Sequence, residues 1–471
     1  MAHSLKNKAP VKPAPGPHFK KGVALYEAGK LKEACEVYRQ ALLADPDDFR
    51  AWLNLGMTLR QLGHKEAAIV CAQRALESSP ANPSILTNYG NCLTDFGRKD
   101  EALAAHALAV KARPEDFLAR KNYAIALCEF GEFEESLLHL QVAQKIKPQD
   151  AGVAWDIALS YLYLGRLQEG WKSFEARWKM PSMKKRACDA PLWQGEDLSG
   201  KTILIYEEQG FGDSILCSRY IPMVCARGGK VILECKKPLH RLFSSLQGIS
   251  RIVEPGGVDI PFDYHIPMMS LPGVFGTGLE TIPPPPRLHI PASPPPEAQR
   301  LLNFGEGRFK VGIVWSGSVT FASNHKRAVD AARFLPLAGI PGVQLYSLQK
   351  GPREKDLADC GGTGLIPELA PYLNDFADTA AVLKQLDLVI MTDSAVAHLA
   401  GSIGVPVWNL LHHHPYWLYL SEREDCPWYP SMRLFRQSRP GDWDSVFNNV
   451  AAALKKEVAR KQNPPSHRVL H

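Results

Sequence analysis

The sequence predicts an α plus α/β protein: an N-terminal α-solenoid of repeated helical pairs, then two α/β domains built on parallel sheets. Three observations predict it. Small residues and prolines recur every 34 residues through roughly the first 180 positions. Short apolar runs then alternate with helical patterns, the signature of βαβ units. The stretch PPPPRLHIPASPPP, residues 283–296, carries eight prolines and divides that second region in two.

The repeat is legible column by column. Gly29, Gly63, Gly97, Gly131 and Gly165 are each 34 residues apart, as are Pro46, Pro80, Pro114 and Pro148. Gly22, Gly56 and Gly90 continue as Ala124 and Ala158; Ala34, Ala68 and Ala102 continue as Ser136 and Gly170. Ala41, Ala75, Ala109 and Ala143 form a further column. Small residues let two antiparallel helices approach closely. The glycine at 29 and its equivalents suits a left-handed turn between them. The proline ends the second helix, and Asp45-Pro46-Asp47-Asp48 opens the next unit. This pattern resembles the tetratricopeptide repeat (TPR) over residues 15–184, with four clear units and a fifth that departs in LQEGWKSFEARWKM. Trp171, Phe174 and Trp178 of that fifth unit read as a cap on the next domain. Such arrays bind peptides or proteins, and Gln40, Asn54, Arg60, Asn88, Asn91, Lys121 and Asn122 are the polar residues that can face a partner.

In the second region KTILIYEE, KVILECKK, SRIVEPGG and DYHIPMMSLP read as strands, with a helix after QGFG. Beyond the prolines KVGIVWSG, VQLYSLQKG, DLVIMTDS, VPVWNLLHH and MRLFRQ read as strands, and DSVFNNVAAALKKEVARK as a last helix. DFADTAAVLKQL reads as a helix capped by Asp378. The expected domains are a disordered tail at 1–14, repeats at 15–184, α/β domains at 185–290 and 291–452, and a helix end with a basic tail at 453–471. Ligands of open α/β sheets bind beyond the carboxyl ends of the strands, which directs attention to two stretches.

The first is TDSAVAH, residues 392–398. Thr392, Asp393 and Ser394 stand where a strand gives way to a helix, and a helix N-terminus favours anions. His398 follows Ser394 by one turn and can reach a phosphate or ribose oxygen; the alternative is a structural N-cap with a packed histidine. A hydrolase reading fails because the GxSxG frame is missing. The second is EQGFGDSI, where Gly210 and Gly212 are expected to turn the backbone and project Asp213 into the cleft. The alternative is that Asp213 caps the helix.

TDSAVAHLAGSIGVPVW, EQGFGDSILCSRYIP and YSLQKG together resemble the bacterial TPR glycosyltransferases. Their catalytic half is similar to the family 9 heptosyltransferases and, more distantly, to the O-linked N-acetylglucosamine transferases. The resemblance implies a GT-B fold of two Rossmann-like domains, the first on the acceptor side and the second on the nucleotide-sugar side. It implies Asp213 as the base for an inverting, metal-independent transfer. Thr392, Asp393, Ser394, His398, Ser316, Gly317, Lys326, Arg327 and Gln349 would contact an ADP- or UDP-linked donor. The acceptor would be a peptide, protein or glycan, with no cofactor beyond the substrate. Where relatives often read GNP and an arginine-rich stretch, this chain reads GSV and NHKRA. That difference leaves a non-catalytic TPR adaptor as the alternative.

Other features exclude function classes. The net charge of +6 sits in the ends, in Lys6, Lys8 and Lys12 and in Lys455, Lys456, Arg460, Lys461 and Arg468. Nucleic acid is therefore not an expected partner. The ten cysteines contain no CxxC pair and read as reduced thiols of a cytoplasmic protein. No secretory signal opens the chain, and no run approaches the ~20 apolar residues of a membrane span. HHH at 412–414 reads as a substrate-loop contact rather than a metal site, DWD at 442–444 as a cap, and PWYPSM at 427–432 as an aromatic packing turn.

Overall fold

The computed structural model describes residues 16–181, 183, 186–257, 261–321 and 323–462. The tail assigned to 1–14 and the basic end beyond 462 lie outside them. The chain divides into two compact units, Met1–Asp156 and Ile157–His471. The division falls inside the fifth repeat rather than at residue 184.

The first unit is helical. Pro17–Glu27 and Leu31–Ala44, Phe49–Gln61 and Lys65–Ser78, Pro83–Asp95 and Lys99–Ala112, and Phe117–Glu129 and Phe133–Ile146 form four pairs. Each pair turns on the expected glycine: Gly29, Gly63, Gly97 and Gly131 have φ of +73°, +85°, +68° and +82°. A second register of N-caps starts the later pairs. Asp48, Asn82 and Asp116 accept from the N–H groups of Arg50, Ser84 and Ala119, each at 3.0 Å. The small column works by contact. A Cβ on Gly22 would stand 2.5 Å from the Tyr38 ring, and one on Gly90 would stand 2.7 Å from the His106 ring. Several of the polar residues read as partner-facing are engaged within the repeats. Arg60 grips Asp95 through two bonds of 2.5 and 2.9 Å, Asn91 donates to Asn122 at 3.1 Å, and Lys121 donates to Asp150 at 3.0 Å.

The second unit begins with the end of the fifth repeat. In Leu167–Phe174, Trp171 donates its indole N–H to the Thr277 carbonyl at 2.8 Å, and it is buried with Phe174. Two parallel sheets follow. The first holds β1 (Thr202–Tyr206), β2 (Lys230–Glu234), β3 (Ile249–Val253) and β4 (Tyr264–Pro267) in the order β3-β2-β1-β4. The second holds β5 (Phe309–Val314), β6 (Val343–Ser347), β7 (Leu388–Thr392), β8 (Val407–Leu411) and β9 (Met432–Arg436) in the order β6-β5-β7-β8-β9. Both orders switch direction beside their first strand, as doubly wound sheets do. Strands β6, β7 and β8 are buried along their whole length, which explains why apolar residues dominate them. The last helix runs Trp443–Gln462, and Val446, Phe447, Val450, Leu454 and Val458 enter the core of this half.

Two expectations change here. The pattern after QGFG is not one helix but Phe211–Cys217, a 3-10 turn and Ile221–Cys225. Pro222 has no N–H to continue the ladder, and Ser218 donates to the Ile215 carbonyl at 2.7 Å. The cap of Phe376–Leu383 is Asp375 rather than Asp378: it accepts from the N–H groups of Ala377 and Asp378, each at 2.9 Å. Asp375 and Asp378 also both pair with Arg241 of the first half.

His106 is fully buried in the first unit, and neither ring nitrogen has a hydrogen-bond partner. Burial, with the nearby charge of Arg60, pushes its pKa down to about 4. The unfolded chain therefore binds this proton first. The associated stability is complete above about pH 6.5 and drains as pH falls towards about 4. His106→Leu should remove about 2 kcal/mol of the stability lost between pH 7.5 and pH 5, measured by urea unfolding at both values.

Candidate functional site

The glycine loop and the TDSAVAH stretch meet. Helix Phe211–Cys217 leaves the carboxyl end of β1, and helix Ala395–Ser402 leaves the carboxyl end of β7. A Cβ on Gly212 would lie 2.7 Å from His398 Cδ2 and 3.5 Å from Ala395 Cα. Glycine at 212 is thus required by close approach and not by a turn. Neither Gly210 nor Gly212 has a positive φ, and Gly210 is ordinary extended backbone at φ −80°, ψ 168°. The turning role expected of them is corrected accordingly.

Asp213 is half-buried and held at both oxygens. Oδ2 accepts the Gly210 N–H at 3.1 Å, so Asp213 does cap its helix, and Oδ1 accepts the Tyr416 hydroxyl at 3.2 Å. Burial raises its pKa to about 6. The Gly210 and Tyr416 hydrogen bonds oppose that rise, and the charge of Asp393 adds to it. A carboxyl that titrates this close to neutrality suits a general base. Its neighbours are committed elsewhere. Glu207 binds Lys236, and Glu208 takes both arms of the buried Arg177 at 3.0 Å.

At β7 the strand-end residues divide. Asp393 accepts the Tyr419 hydroxyl at 2.6 Å and lies 3.5 Å from Arg327. Ser394 caps the helix by position, but its hydroxyl makes no cap bond. The hydroxyls of Thr392 and Ser394 are both buried without a hydrogen-bond partner. His398 is buried and shares a 3.1 Å bond between Nδ1 and the Tyr429 hydroxyl. Burial pushes its pKa down to about 4, so the ring is neutral. Its expected reach to a phosphate or ribose oxygen is corrected: the ring fills the seam against Gly212. Ser394 has no histidine at its oxygen, so the nucleophile geometry is absent.

The third group comes from β5 and β6. Gln349 is buried, accepts the N–H groups of Trp315 and Ser316 at 3.0 and 2.9 Å, and donates to the Ser316 carbonyl at 3.2 Å. It shapes the loop rather than facing a ribose or base as expected. Ser316 is also buried, and its hydroxyl accepts from Asn324 at 3.1 Å. Gly317 leaves room for Arg327, whose Nη2 would lie 2.4 Å from a Cβ there. Arg327 lies 4.7 Å from the Phe321 ring, and Lys326 is exposed.

Sequence reasoning missed three contributors. Tyr416 and Tyr419 lie in the HHHPYWLYL run, and Arg436 ends β9. Arg436 donates to the Tyr419 and Leu420 carbonyls at 3.2 and 2.8 Å. His412 is driven down to about 4 by burial. Asp393 opposes that drop, while Lys326, Arg327 and Arg436 add to it. Three cations, one carboxylate and a helix N-terminus therefore share this corner. His413 bonds the Gln437 carbonyl at 3.2 Å, Asp442 accepts the Ser445 N–H at 3.1 Å as a cap, and Trp428 and Tyr429 are buried in packing.

A tetratricopeptide repeat model matches residues 19–83, 58–109 and 95–151, so the N-terminal region carries such repeats. The chain is 29% identical over 325 residues to Protein FlbA of Caulobacter vibrioides, covering 62% of this chain and 53% of that protein. It thus spans about half the length of that curated relative. Among solved structures, MamA is 21% identical and covers 34% of this chain and 92% of its own, with a TM-score of 0.30. YrrB, described as a TPR protein with an unusual peptide-binding site, is 19% identical and covers 35% and 86%, with a TM-score of 0.29. No described helix is long and apolar enough to cross a membrane.

The seam predicts unequal costs at its two glycines. Gly212→Ala must displace the His398 ring or part the two helices, at about 1–3 kcal/mol. Gly210→Ala meets only Asp213 Oδ2 at 3.4 Å, and should stay within about 0.5 kcal/mol. Urea unfolding of the two variants measures the difference.

Proposed function

We propose that the protein is a glycosyltransferase with a GT-B-like catalytic half, and that its repeats recruit a peptide, protein or glycan acceptor. One observation carries the reading. Asp213, beside the first sheet, is tied by Tyr416 to the turn whose Tyr419 holds Asp393, and Asp393 lies 3.5 Å from Arg327 in the strand-end corner of the second sheet that Lys326, Arg436 and the helix N-terminus at Ser394 share. In this reading Asp213 takes the proton of the acceptor hydroxyl as that oxygen attacks the anomeric carbon. The bond to the diphosphate oxygen breaks on the opposite face, with inversion. The departing charge is met by Lys326, Arg327 and the unpaired N–H groups of the helix. The buried hydroxyls of Thr392 and Ser394 are donors that a phosphate or ribose would satisfy. The donor nucleotide is ADP- or UDP-linked on this reading, and no metal is required of it.

A second reading, a non-catalytic TPR adaptor, is favoured by a separate observation. Gln349 and His398, both expected at the donor, are committed to internal hydrogen bonds.

Thermal-shift titration with ADP, UDP, GDP and CDP, with and without EDTA, separates the two. At one hundred times its dissociation constant a ligand stabilises by about 2.7 kcal/mol. The transferase reading expects one nucleotide to raise Tm independently of EDTA, an effect lost in the Asp393→Ala, Ser394→Ala double variant. It also expects Asp213→Asn to keep that shift while turnover of the matching donor sugar falls about 10²–10⁴-fold. No shift with any nucleotide at millimolar concentration selects the adaptor.

A further inference from the structure

Tyr416 and Tyr419 belong to one turn, Trp417–Tyr419, in 3-10 geometry with Tyr416 as its cap. They reach carboxylates from different halves: Tyr416 donates to Asp213 at 3.2 Å, and Tyr419 donates to Asp393 at 2.6 Å. The turn itself is pinned. Tyr163 donates to the Pro415 carbonyl at 2.8 Å, and Trp417 packs edge-on against Trp171 and Trp428 at 5.5 and 5.8 Å. Arg436 holds the Tyr419 and Leu420 carbonyls from behind. Leu420 has φ +52° and ψ −177°, the sole positive φ outside glycine among the described residues. Backbone this unfavourable for a leucine persists only where its surroundings enforce it.

We propose that Tyr416 and Tyr419 are a positioning pair: one pinned turn sets the two carboxylates of the site, and Tyr416 keeps Asp213 ionised and aimed. The chemical consequence rests on the transferase reading; the tether itself does not. The groups acting on Asp213 are the Gly210 N–H, Asp393, Tyr416, Glu208 (paired to Arg177) and Cys217, with His398 neutral across the seam. Of the side chains among these, Tyr416 alone donates a hydrogen bond to the carboxylate. Removing its hydroxyl destabilises the charged form, so Asp213 must then titrate at higher pH.

The test reads Asp213 directly, without substrate. Carbodiimide with glycine ethyl ester couples to the protonated carboxyl, and peptide mass spectrometry reports labelling of Asp213 across a pH series. The midpoint in the unaltered protein is expected near about 6. Tyr416→Phe should move it up by about half a unit or more. Tyr419→Phe should leave it in place. Fluorination of Tyr416 beside its hydroxyl strengthens the donor without changing the fold, and should move the midpoint down. A midpoint that neither change at Tyr416 moves overturns the proposal, as does an equal shift from Tyr419→Phe. Loss of all nucleotide binding would remove the transferase reading and leave the labelling result standing. A flat labelling result beside intact nucleotide binding would remove the tether alone.

Discussion

The candidate site exists because a helix backbone and an imidazole ring come closer than any side chain at residue 212 would allow. Helix Phe211–Cys217 can lie against His398 because residue 212 has no Cβ. Everything else in that corner is conditional on this contact. It brings Asp213 within reach of a phenol from residue 416 and makes the charge of Asp393 felt at Asp213. It also gives His398 a packing duty in place of a ligand. A neutral, buried imidazole is a sound spacer, since it fills volume and meets one hydroxyl without adding charge.

The repeats were the most legible part of the chain, and the reason is local. A positive φ at Gly63 or Gly97 is dictated by the turn those residues make, so the type of residue reveals the geometry. The strands were legible for a similar reason, since burial on both faces leaves segments dominated by apolar residues. The cap of Phe376–Leu383 was misread by three residues. Both Asp375 and Asp378 are chemically suitable, and only the start of the helix separates them.

At the site the sequence located the segments better than the contacts. EQGFGDSI and TDSAVAH do face one another, yet Gly210, Gln349 and His398 serve the scaffold. Tyr416 and Tyr419 left no signal, because a phenol that grips a carboxylate 203 residues away looks like any buried aromatic. Arg436 was hidden in a strand, MRLFRQ, whose other residues announce only β-structure. Pairings of this kind depend on tertiary approach, and no spacing rule within one segment encodes them.

Asp375 has a quieter consequence. It caps Phe376–Leu383 through two backbone N–H groups while also binding Arg241 from the other sheet. If the halves part, that carboxylate keeps both of its helix bonds, and Arg241, already 43% exposed, passes into water. Asp378, buried and bound to the same Arg241, keeps its hydrogen bonds from Asn374 but loses its cation, which is what makes parting costly. The contact therefore behaves as a latch: it fixes alignment when shut, and the buried Asp378 sets the resistance to opening. Dissolved ions would ease only its outer part, where Arg241 meets water.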